Sequence, residues 1–293
     1  MQATTWRDFE GKTVDGKYYL QRLIGTGSFG AVFVADEVVA DGLIRQVAVK
    51  LIEPEASQTD AQFAELIAAA NLDHPALLRG LFENCEIHDN AGPNVQLMDN
   101  AAPIFRECSI YNGQQAGVTA RSGAQGLFED CEIYANAGAG IEAPTGGSVV
   151  LRRCQIHHGH YPALLVQGGE VVMEECDLVA NAMSNAAAGE SGRLDMCRCK
   201  LLDSRQYGLL FWAGATGRIE ECEISGNTLG GVRLNAAAHP LLQHCRIIRN
   251  GAFGLHASHQ AEATFAHCDL RDNLLGPTHI EPPCRIINTE CLV

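Results

Sequence analysis

Arg233, His256 and His279 recur at one fixed interval, and Asn235, Ser258 and Glu281 stand two places after each of them. Trp212 lies one such interval before Asn235. Residues two apart on an extended strand share a face, so one structural unit per interval would gather these seven side chains on one surface. An aromatic platform beside Arg, His and carboxylate suits a sugar or a peptide, and His works as acid or base near neutral pH. No catalytic residue is assigned, because the acidic residues elsewhere alternate with bases instead of pairing with each other. No metal site is assigned either. His157, His158 and His160 have no Cys or acid at ligand spacing beside them, and Cys197-Arg-Cys199 lacks a second pair.

The elements that would carry this surface are measured out by cysteine. With Cys197 and Cys284 set aside, the remaining ten, Cys85, Cys108, Cys131, Cys154, Cys176, Cys199, Cys222, Cys245, Cys268 and Cys291, keep the same interval at every step but that from Cys154 to Cys176, which is one position shorter. This is an internal repeat. Three residues before each of the first nine stands an apolar residue (Phe82, Phe105, Phe128, Leu151, Met173, Met196, Ile219, Leu242, Phe265), and five after it often an Asn (Asn90, Asn136, Asn181, Asn227, Asn250, Asn273). Each unit reads as two or three short strands joined by Asn and Gly turns that tolerate left-handed backbone. Units this short cannot bury their own apolar side, so they must stack strand on strand about 4.8 Å apart, turning Cys, Ile and Phe into continuous interior ladders. The cysteines are expected to be reduced core spacers, with Cys197 in a turn. The residue after each Cys (Glu86, Ser109, Glu132, Gln155, Asp177, Lys200, Glu223, Arg246, Asp269) is expected outside, where acid alternates with neutral or base.

From about residue 80 to 291 this pattern resembles the right-handed parallel β-helix of pectate-lyase-like proteins and of many non-enzymatic repeat proteins. The expected fold is mainly β, with about nine 23-residue coils over residues 80–293. The resemblance implies architecture and leaves activity open.

Residues 1–79 break the repeat. They contain Leu23-Ile24-Gly25-Thr-Gly27-Ser-Phe-Gly30-Ala-Val32, then Val47-Ala-Val-Lys50, then Glu65 ten residues before Pro75 of a His-Pro pair. Together these resemble the small α+β lobe of Ser/Thr protein kinases. The resemblance implies that Ile24, Gly25, Gly27, Gly30 and Val32 surround a nucleotide, that Lys50 neutralises its phosphates, and that Glu65, on a helix over 60–71, pairs with Lys50. No catalytic loop, metal-binding Asp-Phe-Gly or other part of a large lobe follows. The expectation is therefore a degenerate lobe that binds ATP weakly, transfers no phosphoryl group and caps the first coil.

The formal net charge of −14 excludes a basic nucleic-acid binder. The first residues lack the apolar core of a signal peptide, and the longest apolar stretch, around 208–215, is too short to span a bilayer. The sequence thus points to a cytoplasmic protein without membrane or nucleic-acid partners. Its first-choice function is a non-catalytic platform for another protein. Alternatives are an ATP-binding, kinase-related signalling protein and a carbohydrate-binding or carbohydrate-active β-helix.

Overall fold

A computed structural model describes residues 6–14, 18–27, 30–39, 42–52, 80–121 and 123–293. From residue 80 onward the chain winds through three parallel sheets, visiting each once per coil. The first sheet runs from Leu81–Glu83 to Arg285–Thr289, the second from Glu86–His88 to Arg246–Ile248, and the third from Val95–Leu97 to Gly276–Ile280. Register follows the repeat without slippage: Phe105 pairs with Phe128, Ile133 with Ile156, and His256 with His279. A one-residue slip would turn every apolar side chain outward.

The interior is a set of ladders. Cys108, Cys131, Cys154, Cys176, Cys199, Cys222, Cys245 and Cys268 are buried and free, with Cys85 and Cys291 half-buried at the two ends. Each thiol on this ladder points at the carbonyl two residues before it, as in Cys131 to Glu129 at 3.3 Å. Cys154 and Cys199 are pushed well above the usual thiol range by the thiols stacked against them and by burial. Phe82, Phe105 and Phe128 stack with centroids 4.6 and 4.7 Å apart. The column continues through Leu151, Met173, Met196, Ile219, Leu242 and Phe265, all buried.

Two expectations about corners need correction. Left-handed backbone is not the task of the Asn column. It falls on the residue before each ladder Cys, among them Glu107, Asp130, Arg153, Glu175, Arg198 and Glu221, with φ between 50° and 55°. It falls again on the residue before each Asn-column position, such as Ala135, Ala180 and Arg249. The Asn side chains instead turn inward and zip the corner together. Asn227 Nδ2 donates to Leu201 O, Ser225 O and Asn250 Oδ1, while its Oδ1 accepts from Ser204 N and Asn185 Nδ2. Three coils carry Gly113, Gly159 or Ser204 in place of Asn, and at Gly113 and Ser204 Asn94 and Asn185 reach across to Asn136 and Asn227 at 2.8 and 3.2 Å. The physical demand is satisfaction of buried carbonyls and amides at a sharp bend. Cys197, in turn, ends the strand Arg193–Cys197 and does not sit at a corner.

The N-terminal part is a separate antiparallel sheet of Thr13–Val14, Tyr18–Gly27, Gly30–Val39 and Gly42–Ile52. It has its own small core of Leu20, Ala31, Phe33 and Ala35. Of the kinase-like elements, Glu65 and the expected helix lie outside the described residues. Capping of the first coil is expected of the lobe's sheet or its helix, and the helix lies outside them too.

Candidate functional site

Outward side chains of the third sheet change character along the rod. The early coils place Gln96, Thr119 and Glu142 at these positions, where Thr119, itself buried, donates through Oγ1 to Glu142 Oε2 at 3.2 Å and Arg121 lies 3.9 Å from the same carboxylate. The middle coils place Leu165, buried Ala187 and Leu210 at these positions, and the last coils Arg233, His256 and His279. Strand pairing alone dictates that final order, since Leu210 pairs with Arg233, Arg233 with His256, and His256 with His279.

Six of the seven residues singled out from the sequence converge. Arg233 Nη2 donates to Ser258 Oγ at 2.7 Å, and that hydroxyl lies 2.8 Å from His259 Nδ1 and 3.5 Å from Asn235 Oδ1. Ser258 is fully buried, so it grips the guanidinium from the protein side. The other terminal nitrogen, Arg233 Nη1, is buried and has no hydrogen-bond partner among the described residues. A buried, charged donor left unmatched is costly. One rung on, Glu281 Oε1 lies 3.0 Å from His256 Nε2 and 3.8 Å from His279 Nε2. The hydrogen bond from His256 holds the Glu281 carboxyl below its usual pKa, and the charges of Arg233 and His279 add to this.

Trp212 behaves differently. Its indole lies over Gly189 of the preceding coil, where a Cβ would come within 2.0 Å of the ring. Any side chain at 189 would evict the indole. Trp212 therefore joins the apolar Leu165–Ala187–Leu210 stretch at the border of the polar cluster and does not stack on its histidines. Phe253 is a participant the repeat columns did not single out. Its ring stacks on His279 (centroids 5.0 Å apart) and meets His256 edge-on at 6.2 Å, setting the attitude of both imidazoles. The only sequence signal for it was an aromatic residue at the start of the His256 strand.

The outside ladders neutralise themselves, as expected. Lys200 faces Asp177 at 3.7 Å and Arg246 faces Glu223 at 3.5 Å. At the left-handed corner Arg153 donates to Asp130 through Nε and Nη2, at 2.8 and 2.7 Å. A further ladder escaped the sequence columns: Arg106, Glu129, Arg152 and Glu174 alternate along the first sheet, with Glu129 2.9 Å from Arg106 and 3.2 Å from Arg152. His157 belongs to an aromatic stack with His88, Tyr111 and Tyr134, and pairs with Glu132 at 2.9 Å.

In the N-terminal sheet, Gly25 pairs with Val32 and Val32 with Lys50 across three adjacent strands. Gly27 and Gly30 close the same hairpin, and Ile24 lies between Leu23 and Gly25 on its first strand.

A stretch of 72 residues, 23% of the chain, is 43% identical to the serine/threonine-protein kinase PknA of Mycobacterium tuberculosis and, equally, to that of Mycobacterium bovis. The chain spans only 16% of the length of those kinases. Among solved structures, the mannuronan C-5 epimerase AlgE6 A-module of Azotobacter vinelandii superposes with a TM-score of 0.63 at 12% identity, covering 73% of this chain and 64% of that one. The AlgE4 A-module of the same organism gives 0.59 at 11% identity, covering 71% and 64%. A point mutant of the periplasmic alginate epimerase AlgG gives 0.59 at 10%, covering 73% and 60%. At such identities the likeness is one of fold. The repeat, the three parallel sheets and a match of residues 77–181 and 143–278 to the family described as right handed beta helix region together place this chain in that family.

Proposed function

We propose that the late-coil face of the third sheet binds an acidic polysaccharide. The observation that carries this reading is Arg233, a half-buried guanidinium that forms no ion pair within 4.0 Å among the described residues and is fixed by buried Ser258 through Nη2. A carboxylate on a sugar ring is the natural complement of a guanidinium without an acidic partner. The neighbouring Leu165, Leu210 and Trp212 supply the apolar border that the carbon face of a sugar needs. A polymer laid along the rod would meet these groups rung after rung. Alginate and mannuronan, named for the structures of similar fold, are polymers with these features. The protein-platform reading rested on the regularity of the faces alone and gives way to one supported by specific groups.

The test is calorimetric titration of the full chain with alginate and with a neutral glucan. Binding of alginate that weakens with salt, is absent for the glucan and falls at least tenfold in Arg233→Ala is expected. Equal binding of both polymers, or alginate binding untouched by Arg233→Ala, overturns the proposal.

A second reading concerns the N-terminal sheet. The Gly25–Val32–Lys50 register puts the glycine turn beside the lysine strand, as nucleotide binding by a small lobe requires. Mg-ATP should raise the Tm of the chain, and Lys50→Met should remove the shift. No shift in either protein would discard this reading.

A further inference from the structure

His256, His279 and Glu281 form a cluster whose donor atoms all lie within 4.8 Å of one another. We propose that these three side chains bind a divalent zinc ion. The fold produces the cluster in two steps. His279 and Glu281 are two residues apart and so share a face, and His256 is the register partner of His279 on the adjoining strand. Three long side chains from neighbouring positions of two paired strands then reach one point.

Two of the three donor separations lie close to what an ion needs. Tetrahedral zinc takes imidazole and carboxylate donors at about 2.0–2.2 Å, which puts neighbouring donors about 3.3 Å apart. The separations of 3.0 Å from His256 to Glu281 and 3.8 Å from His279 to Glu281 straddle that spacing. The ring of Phe253, stacked on one imidazole and edge-on to the other, holds both near the required attitude.

The chemistry selects the metal class. Two imidazole nitrogens disfavour the hard cations calcium and magnesium, while two His and one carboxylate are a full protein donor set for zinc. Such a set leaves a coordination position for water or for an oxygen of a ligand. All three side chains are partly exposed, at 25%, 48% and 44% for His256, His279 and Glu281, so an ion enters from solvent. The site does not depend on the glycan reading: a chain that binds zinc but no alginate keeps the former and loses the latter.

The experiment uses the full chain, freed of metal with EDTA and dialysed. Zinc titration should show one equivalent bound with micromolar or tighter affinity and a raised Tm. His279→Ala and Glu281→Gln should each weaken binding at least tenfold while leaving the metal-free Tm unchanged. Because the chain has twelve cysteines, cobalt(II) is the second probe. Nitrogen and oxygen ligation gives visible d–d bands without thiolate charge transfer in the near ultraviolet. Zinc affinity unchanged in both variants, a thiolate charge-transfer band from the bound cobalt, or an equal response to magnesium would overturn the site.

Discussion

Two polar ladders run along this rod, and they are finished to different degrees. At the corner between the second and third sheets, the Asn side chains satisfy one another and the surrounding backbone, so that Asn227 alone joins Ser204, Asn185, Leu201, Ser225 and Asn250. On the late-coil face of the third sheet, Arg233 is held through Nη2 while Nη1 has no partner among the described residues. Burial raises the stakes equally in both places, because an unmatched polar group costs more away from water. The corner spends its hydrogen-bonding capacity on the fold, and the face keeps some in reserve. That difference sets the corner, whose polarity serves the fold, apart from the face for which glycan binding is proposed, in a molecule whose repeats otherwise look alike.

The comparison breaks most visibly at Asn227. Replacement by Ala removes an acceptor and a donor at once and strands buried amides and carbonyls, so a loss of about 3 kcal/mol is expected from unmatched groups costing about 1–3 kcal/mol each. Chemical denaturation measures it, and alginate binding well below the transition should persist. Arg233→Ala should do the reverse. Its alginate affinity falls at least tenfold, equivalent to about 1.4 kcal/mol, with little change in Tm. If Arg233→Ala destabilised the chain as much as Asn227→Ala, the distinction between the ladders would fail.

Smaller effects sharpen the same contrast. Glu129→Gln, at a half-buried carboxylate between the exposed Arg106 and Arg152, should cost about 1 kcal/mol, the upper end for a surface ion pair, and leave binding unaffected. Acid should act in the same direction. Arg106 holds the Glu129 carboxyl below its usual pKa, and Arg153 does the same for Asp130. Carboxyls with depressed folded-state values contribute stability above their unfolded pKa and lose it as pH falls through the folded one. A shallow decline in Tm is therefore expected below the normal carboxylate range, reduced in the Glu129→Gln and Asp130→Asn double variant. A Tm independent of pH there would show that these ladders contribute nothing.

The spacing of Cys, Ile and Phe made the coils, their register and the interior columns legible in the sequence, because a stacked repeat maps equal intervals onto adjacent positions. For the same reason Arg233, His256 and His279 could be placed on one face, together with Asn235, Ser258 and Glu281. Only the folded chain decided what those residues do there. The Asn column looked like a set of turns until its side chains proved to be turned inward, and the left-handed corners fell on Asp130, Arg153 and Glu175 instead. Trp212 shares the period of the cluster yet lies back over Gly189, and Phe253 reached the histidines from outside the columns. A repeat determines which positions are neighbours. Side-chain rotamers, hydrogen-bond partners and the space left by a glycine one coil away depend on contacts between coils, so tertiary structure alone settled which polar atoms are matched and which are not.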